Sequence, residues 1–313
     1  MRHTNQEMAG LRVVVTGAGG FIGGFVMDAL AKAGATPIGL IRAAQTPPND
    51  PRFQWTSADL VSDPLTPLLA DLRPDTIIHC AGRTFAPPND AGRADLFTAN
   101  LTATERLIEA VSQLRYPVRV VIVSSAAIWA PMTPDQAAID EQHPMRPIAA
   151  YGDSKAAATR HALAESNRLD IDLAVAVPFN VIGPGQPQRL VPQVFIDQLR
   201  ADPTVFTLSN ATTVRDWVDV RDVAEALVAL SCPVGPRGLY NIASSEGRSL
   251  QDLFATLCAI GGWQPDLHYG TPHLTASVNR SIGTPQRLMA ATGWSRQIRL
   301  DASLRDMIFG MAP

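Results

Sequence analysis

A short apolar run, Leu11-Arg12-Val13-Val14-Val15-Thr16, leads into Gly17-Ala18-Gly19-Gly20-Phe21-Ile22-Gly23 and then into a helical pattern from Phe25 to Ala33. No other stretch narrows the fold as much. The run reads as a buried strand. Glycines at 17, 20 and 23 permit a tight turn, close approach of the backbone to a diphosphate, and close packing of helix on strand. Phosphates would then lie at the helix N-terminus, where free N–H groups and the dipole favour negative charge. The spacing G-x-x-G-x-x-G differs from the commoner G-x-G-x-x-G. Strand, turn and helix in this order nevertheless predict a dinucleotide site, with Gly17, Gly20, Phe21, Ile22 and Gly23 as its contacts.

Strands and helices alternate through roughly the first 180 residues, the signature of a parallel sheet with helices on both faces. After the first unit, strands are expected at 36–41, 53–56, 76–80, 119–124 and 172–177, with long helices at 95–114 and 148–169. Alternation then loosens, and Pro- and Gly-rich loops at 183–192 and 232–238 separate shorter elements. The expected fold is therefore α/β: a Rossmann-type, doubly wound parallel sheet with a smaller C-terminal substrate-binding lobe. The dinucleotide domain is expected over 1–178, and 179–313 is mainly the lobe, interleaved with the sheet.

Bulk properties exclude several functions. The chain has 313 residues, 46% of them hydrophobic, enough for a large core. Its net charge of −3 comes with no basic stripe, so neither nucleic acid nor an anionic membrane is an expected partner. No apolar run reaches spanning length, and Met1 to Gly10 lacks the apolar centre of a signal peptide. The three cysteines, Cys80, Cys232 and Cys258, are scattered, which reads as reduced core thiols in a cytoplasmic protein. The six histidines form no ligand cluster, so no metal is expected.

The cofactor's identity is read at the end of the second strand. An acidic residue there usually holds the ribose hydroxyls of NAD, but Gly39-Leu40-Ile41-Arg42-Ala43 has none. An arginine can pair with a 2′-phosphate, so Arg42 favours NADP, with NAD the second choice. Asp59-Leu60 is placed to meet the adenine, although an Asp in a loop also serves as a helix cap. In His79-Cys80-Ala81-Gly82, the small Ala81 and Gly82 let the cofactor approach, and His79 reads as a satisfied core histidine.

Tyr151 and Lys155 lie four apart on a predicted helix and so share one face. A phenol titrates near pH ~10 when unperturbed, and a fixed ammonium nearby favours the phenolate. That pairing suits acid–base work at a carbonyl or hydroxyl carbon. Ser124 and Ser125 end the fifth strand at the ligand edge, and on chemistry alone either could hydrogen-bond the reacting oxygen.

With TGAGGFIG, Asp59-Leu60, HCAG, Asn100, Ser-Ser-Ala, Tyr151-x-x-x-Lys155 and PFNVIGPGQ in order, the chain resembles the extended short-chain dehydrogenases/reductases of the nucleotide-sugar epimerase/dehydratase group. IIHCAGRTFAP, PFNVIGPGQ, VRDWVDVRDV and TGW resemble in particular the GDP-6-deoxy-4-keto-mannose reductases. The resemblance gives Ser125, rather than Ser124, the reacting oxygen and makes Tyr151 the general acid/base. Lys155 would bind the nicotinamide ribose and depress the tyrosine pKa, and Asn100 would support Lys155. Pro178 and Phe179-Asn180 would flank the nicotinamide and the substrate phosphates. Asn180 and Arg215 would contact a nucleoside diphosphate, for which a guanidinium is suited. Without the family, Arg215 beside Asp216 reads as a surface ion pair. The resemblance also implies a homodimer through the two long helices, whose faces carry Leu96, Ala103, Leu107, Ala157 and Leu163.

Departures from the family narrow the chemistry. Dehydratases of the group carry acidic residues just after the Ser/Thr, where this chain has Ala126 and Ala127, so a dehydratase is not expected. Ile128-Trp129-Ala130 replaces the usual Tyr-Gly, so that Trp129 either reshapes the sugar pocket or packs in the core. Pro178 stands where the family has an arginine. No C-terminal arginine matches near Leu274, which makes Arg280 the candidate substitute and leaves open a substrate that is not a nucleotide sugar. The expected activity is NAD(P)H-dependent reduction of a keto group on a sugar nucleotide, such as a 4-keto-6-deoxyhexose. The alternatives are a 4-epimerase that retains NAD, and a non-catalytic NADP-binding sensor or scaffold.

Overall fold

The computed structural model describes residues 7–48, 50–133, 135–271 and 279–310. Strands β1 (Arg12–Thr16), β2 (Thr36–Ile41), β3 (Gln54–Ser57), β4 (Thr76–His79), β5 (Arg119–Val123) and β6 (Leu173–Pro178) alternate with helices. They are followed by β7 (Asn180–Ile182), β8 (Val205–Leu208), β9 (Val214–Asp219) and β10 (Gly238–Ile242). Strands β11 (Gly247–Ser249), β12 (Asp266–Tyr269) and β13 (Arg280–Ser281) complete the set. The large sheet runs β10-β6-β5-β4-β1-β2-β3 and every pairing in it is parallel. Strand order reverses at β1, which lies between β4 and β2, and such a switch point opens a crevice at the strands' carboxyl ends.

Both faces are covered, as near-continuous apolar strands require. Along β1, Val14 packs into one layer and Val13 and Val15 into the other, following the period of two. The first layer holds helices Leu65–Leu72, Ala103–Ser112 and Ala150–Leu169; the second holds Phe21–Lys32 and Val220–Leu230. Residues beyond 178 thus complete the sheet through β10 and cover it through Val220–Leu230. The remainder forms the lobe. There β9 pairs with β7, β11 and β13, β8 pairs with β12, and Phe195, Phe206, Phe254 and Leu304 share a third core.

The expected helix over 95–114 is in fact three pieces. An α-helix from Asp90 to Phe97, capped by Asn89, passes through a π segment at Thr98–Thr102 into Ala103–Ser112. The extra residue per turn of a π segment rotates one side chain out of register, and here it puts Asn100 inside, 1% exposed. Leu96, Ala103 and Leu107 are buried within the chain's own core, so their apolar character is explained without a second subunit. No helix among the described residues is long and apolar enough to cross a membrane.

Candidate active site

The glycine turn is tight. Gly17 has φ +67°, and a Cβ there would come within 2.7 Å of the Ala81 backbone, so the β1 turn lies directly against the end of β4. Gly23 packs on the Gly17 carbonyl. The Phe21–Lys32 helix has no side-chain cap at Gly20 and no acidic residue in its first turn. Its first N–H groups are thus left for an anion, as a dinucleotide diphosphate requires. A groove of about 610 Å³ runs past this turn. It is lined by Gly17, Gly20, Arg42, Asp59, Leu60, Ala81 and Gly82, seven of the positions singled out from the sequence. Phe21 faces a neighbouring cavity, while Ile22 packs on the core. Asp59 lines the groove and also accepts a hydrogen bond from the Val61 amide at 2.8 Å, so it is a loop cap as well.

Tyr151 enters from the first turn of the Ala150–Leu169 helix. This helix sits hard against the turn after β5, because a Cβ on Gly152 would fall 2.4 Å from the Ala127 carbonyl oxygen. The two serines separate cleanly. Ser124 is buried and shares a 2.7 Å hydrogen bond with Thr159 Oγ1, whereas Ser125 lines the cavity beside Tyr151. Burial pushes the Tyr151 phenol above its ordinary pKa, and a hydrogen bond with Ser125 works the other way. The expected depression by Lys155 is not what dominates here. Lys155 is 7% exposed, its Nζ donates to the Val123 carbonyl at 2.6 Å, and burial lowers its own pKa to about 8.

Asn100 acts at one remove. Its Nδ2 donates to the Arg83 carbonyl and to Ser154 Oγ, both at 2.9 Å, and its Oδ1 accepts from the Arg83 amide at 2.8 Å. It therefore ties the loop after β4 to the residue preceding Lys155. His79 is a satisfied core histidine, held between Thr16 and Thr104, with a pKa lowered to about 3 by burial.

A second cavity, of about 320 Å³, brings Ser125, Tyr151, Phe179, Asn180 and Arg215 together. Ala126 and Ala127 also line it, and among the described residues no carboxylate, imidazole or thiol does. Arg215 forms no ion pair with Asp216, since adjacent strand residues face opposite sides. Asp216 is fully buried and accepts from the Ser244 amide and hydroxyl and from the Ser245 and Gly283 amides, at 2.6–3.2 Å. Arg215 meets no carboxylate among the described residues, and burial lowers its pKa. The same alternation separates Arg280 from Ser281. Ser281 lines the cavity, while Arg280 donates to the Gln136 carbonyl and does not. Pro178 is a buried end of β6, paired with Ile242, and the cavity wall begins at Phe179. Trp129 lines the cavity and is also core, 2% exposed, with its indole N–H on Asn241 Oδ1 at 3.2 Å. Leu274 lies outside the described residues.

Sequence reasoning missed Asp216 as the staple of this wall, and missed Phe85 and Arg189 as groove residues. Only Asp216 left a trace, as an acid in the interior of a strand, VRDWVD, whose alternate position to Arg215 faces the core. The other two depend on loops meeting across the fold.

These features set a tyrosine–serine pair beside a groove that runs past a glycine turn. The model of the NAD dependent epimerase/dehydratase family matches residues 13–243, and the chain belongs to that family. It is an NAD(P)-dependent enzyme of the extended short-chain dehydrogenase/reductase type. It is 29% identical to a UDP-glucose 4-epimerase of Mycolicibacterium smegmatis, covering 93% of this chain and 95% of that one. It is 28% identical to a GDP-6-deoxy-D-mannose reductase of Pseudomonas aeruginosa, covering 95% and 96%. Among solved structures, MoeE5 in complex with UDP-glucuronic acid and NAD superposes with a TM-score of 0.82 at 27% identity, over 95% of this chain and 97% of that one.

Proposed function

We propose that the protein reduces a keto group on a nucleotide-linked sugar with NADPH. The observation that carries this reading is the cavity wall. Among the described residues it holds one proton carrier, Tyr151, one hydroxyl beside it, Ser125, and one guanidinium that meets no carboxylate, Arg215. Elimination of water needs a further acid or base, and Ala126 and Ala127 supply none. A single protonation of a carbonyl oxygen needs no more than this wall provides.

When bound, the nicotinamide supplies the hydride; the rest falls to the chain. Burial keeps the Tyr151 phenol protonated at neutral pH, ready to protonate the substrate oxygen. The Ser125 hydroxyl steadies that oxygen as charge develops. Lys155 holds the ribose, and Asn180 and Arg215 grip the substrate diphosphate. Arg42, in a groove with no acid at the end of β2, supports NADP.

The likeness to a UDP-glucose 4-epimerase favours a second reading, in which retained NAD oxidises and then re-reduces the sugar. One experiment separates the two. Purified protein is assayed for NADPH oxidation against a panel of 4-keto-6-deoxy nucleotide sugars, and its bound nucleotide is analysed after denaturation. A reductase consumes NADPH stoichiometrically and carries little nucleotide. Tightly held NAD, with interconversion of UDP-sugars and no net oxidation, overturns the reductase reading.

A further inference from the structure

We propose that Arg189, carried by the lobe, is a ligand of the cofactor's diphosphate, held ready by stacking on Phe85. The inference rests on reading the 610 Å³ groove as the dinucleotide site.

Arg189 belongs to the segment that leaves β7, whose first residue, Asn180, lines the substrate cavity. This segment passes over the glycine turn on two sides. Pro184 and Gly185 share a cavity of about 410 Å³ with Gly19, Gly20 and Phe21. Four residues past Gly185, Arg189 shares the larger groove with Gly17 and Gly20. A lobe residue therefore lines the groove into which the helix N-terminus opens.

Its chemistry fits that position. The Arg189 guanidinium lies 4.3 Å from the Phe85 ring centroid and meets no carboxylate among the described residues. Phe85 comes from the loop after β4, is 44% exposed, and lines the same groove. Stacking occupies the flat face of the guanidinium and leaves its N–H edge free for a bidentate contact. The other arginine nearby, Arg83, is taken by Asp95 at 2.7 Å. Phe85 thus restricts a long side chain without neutralising it, which lowers the ordering cost of taking a phosphate.

The diphosphate, rather than the 2′-phosphate, is the assigned contact because the segment's other residues flank the glycine turn. Arg42 follows the carboxyl end of β2, at the same sheet edge but on the strand whose end meets the adenosine ribose in a dinucleotide fold. This distinction sets the test, in which NADPH and NADH are titrated against wild type, Arg189→Ala and Arg42→Ala by nucleotide fluorescence at several salt concentrations. Arg189→Ala should raise Kd roughly 10-fold for both nucleotides and flatten the salt dependence, as loss of one charge-assisted contact does. Its melting temperature without nucleotide should match wild type, because the side chain is exposed and unpaired. Arg189→Lys should recover part of the affinity. An unchanged Kd overturns the assignment, as does a change confined to NADPH. If wild type binds neither nucleotide, the reading of the groove fails instead, and the two failures are told apart by the wild-type titration alone.

Discussion

The layered half and the lobe meet at the active site, but they are specified in different ways. In the layered half, strands of four to six residues pair in parallel with every neighbour, and their side chains alternate between two apolar layers. Periodicity places Gly17 and the Ser124–Ser125 pair at the carboxyl edge of the sheet, and helical spacing puts Tyr151 and Lys155 on one face. In the lobe, β7, β11 and β13 have two or three residues each and depend on β9 for partners. What fixes their relation is polar: the Asp216 carboxylate collects donors from Ser244, Ser245 and Gly283. One half is held by burial of area, and the other adds a buried acceptor to an apolar core of its own. The first kind of order is visible in a sequence window; the second needs the three-dimensional partners.

The largest effect should come from the layered half. Tyr151→Phe removes the only proton carrier among the described residues of the cavity and should lower kcat by about 10³-fold, the scale of general-acid catalysis. Dinucleotide Kd should stay within twofold by fluorescence titration. Near-normal turnover on the true substrate would remove Tyr151 from the mechanism.

Next comes the staple. Asp216→Ala leaves four donors without their acceptor in a buried site and should cost about 3 kcal/mol of stability. If the comparison holds, the damage is confined to the lobe. Hydrogen exchange should quicken in 244–249 and 280–283, while β1, β4 and β5 stay protected. Uniform loss of protection would mean that the two halves are not separately specified. Arg215→Met is gentler. It preserves most of the side-chain bulk and should raise KM for a nucleotide sugar by about 10- to 100-fold with kcat little changed, a loss of uniform substrate binding.

These cases also show how much was readable beforehand. The glycine turn, the Tyr–Lys spacing and the choice of Ser125 follow from local pattern and resemblance, and the Ser124–Thr159 hydrogen bond supplies a physical reason for that choice. The split of the 95–114 helix was not visible, because a π segment leaves the apolar pattern almost intact while turning Asn100 inward. The Arg215–Asp216 ion pair was wrong for a reason the sequence did contain, since strand neighbours face apart. Arg280 and Ser281 repeat that lesson. The meeting of Phe85 with Arg189 could not be read at all, because it joins two loops a hundred residues apart.

The smallest prediction tests the comparison through pH, because each half holds a buried group shifted toward neutrality, Lys155 in one and Asp216 in the other. In the layered half, burial lowers Lys155 to about 8, so its ammonium is present below that pH and lost above it. Dinucleotide affinity should therefore weaken as pH rises through about 8, by up to about 10-fold, the scale of one charge-assisted contact. The phenol of Tyr151 is raised, not lowered, so loss of the general acid does not explain a change in that window. In the lobe, burial raises Asp216 to about 6 against the pull of its donors. Its carboxylate is complete above that pH and becomes a neutral, poorer acceptor below it, loosening the wall that carries Arg215 and Ser281. The profile of kcat/KM should thus be a bell between about 6 and about 8, with its two sides assigned to different halves. Asp216→Asn should abolish the acid side and leave the basic side in place. Dinucleotide Kd measured alone should show only the basic side. An acid side in the dinucleotide titration would mean that the staple reaches across to the groove, most directly through the β7 segment that carries Arg189.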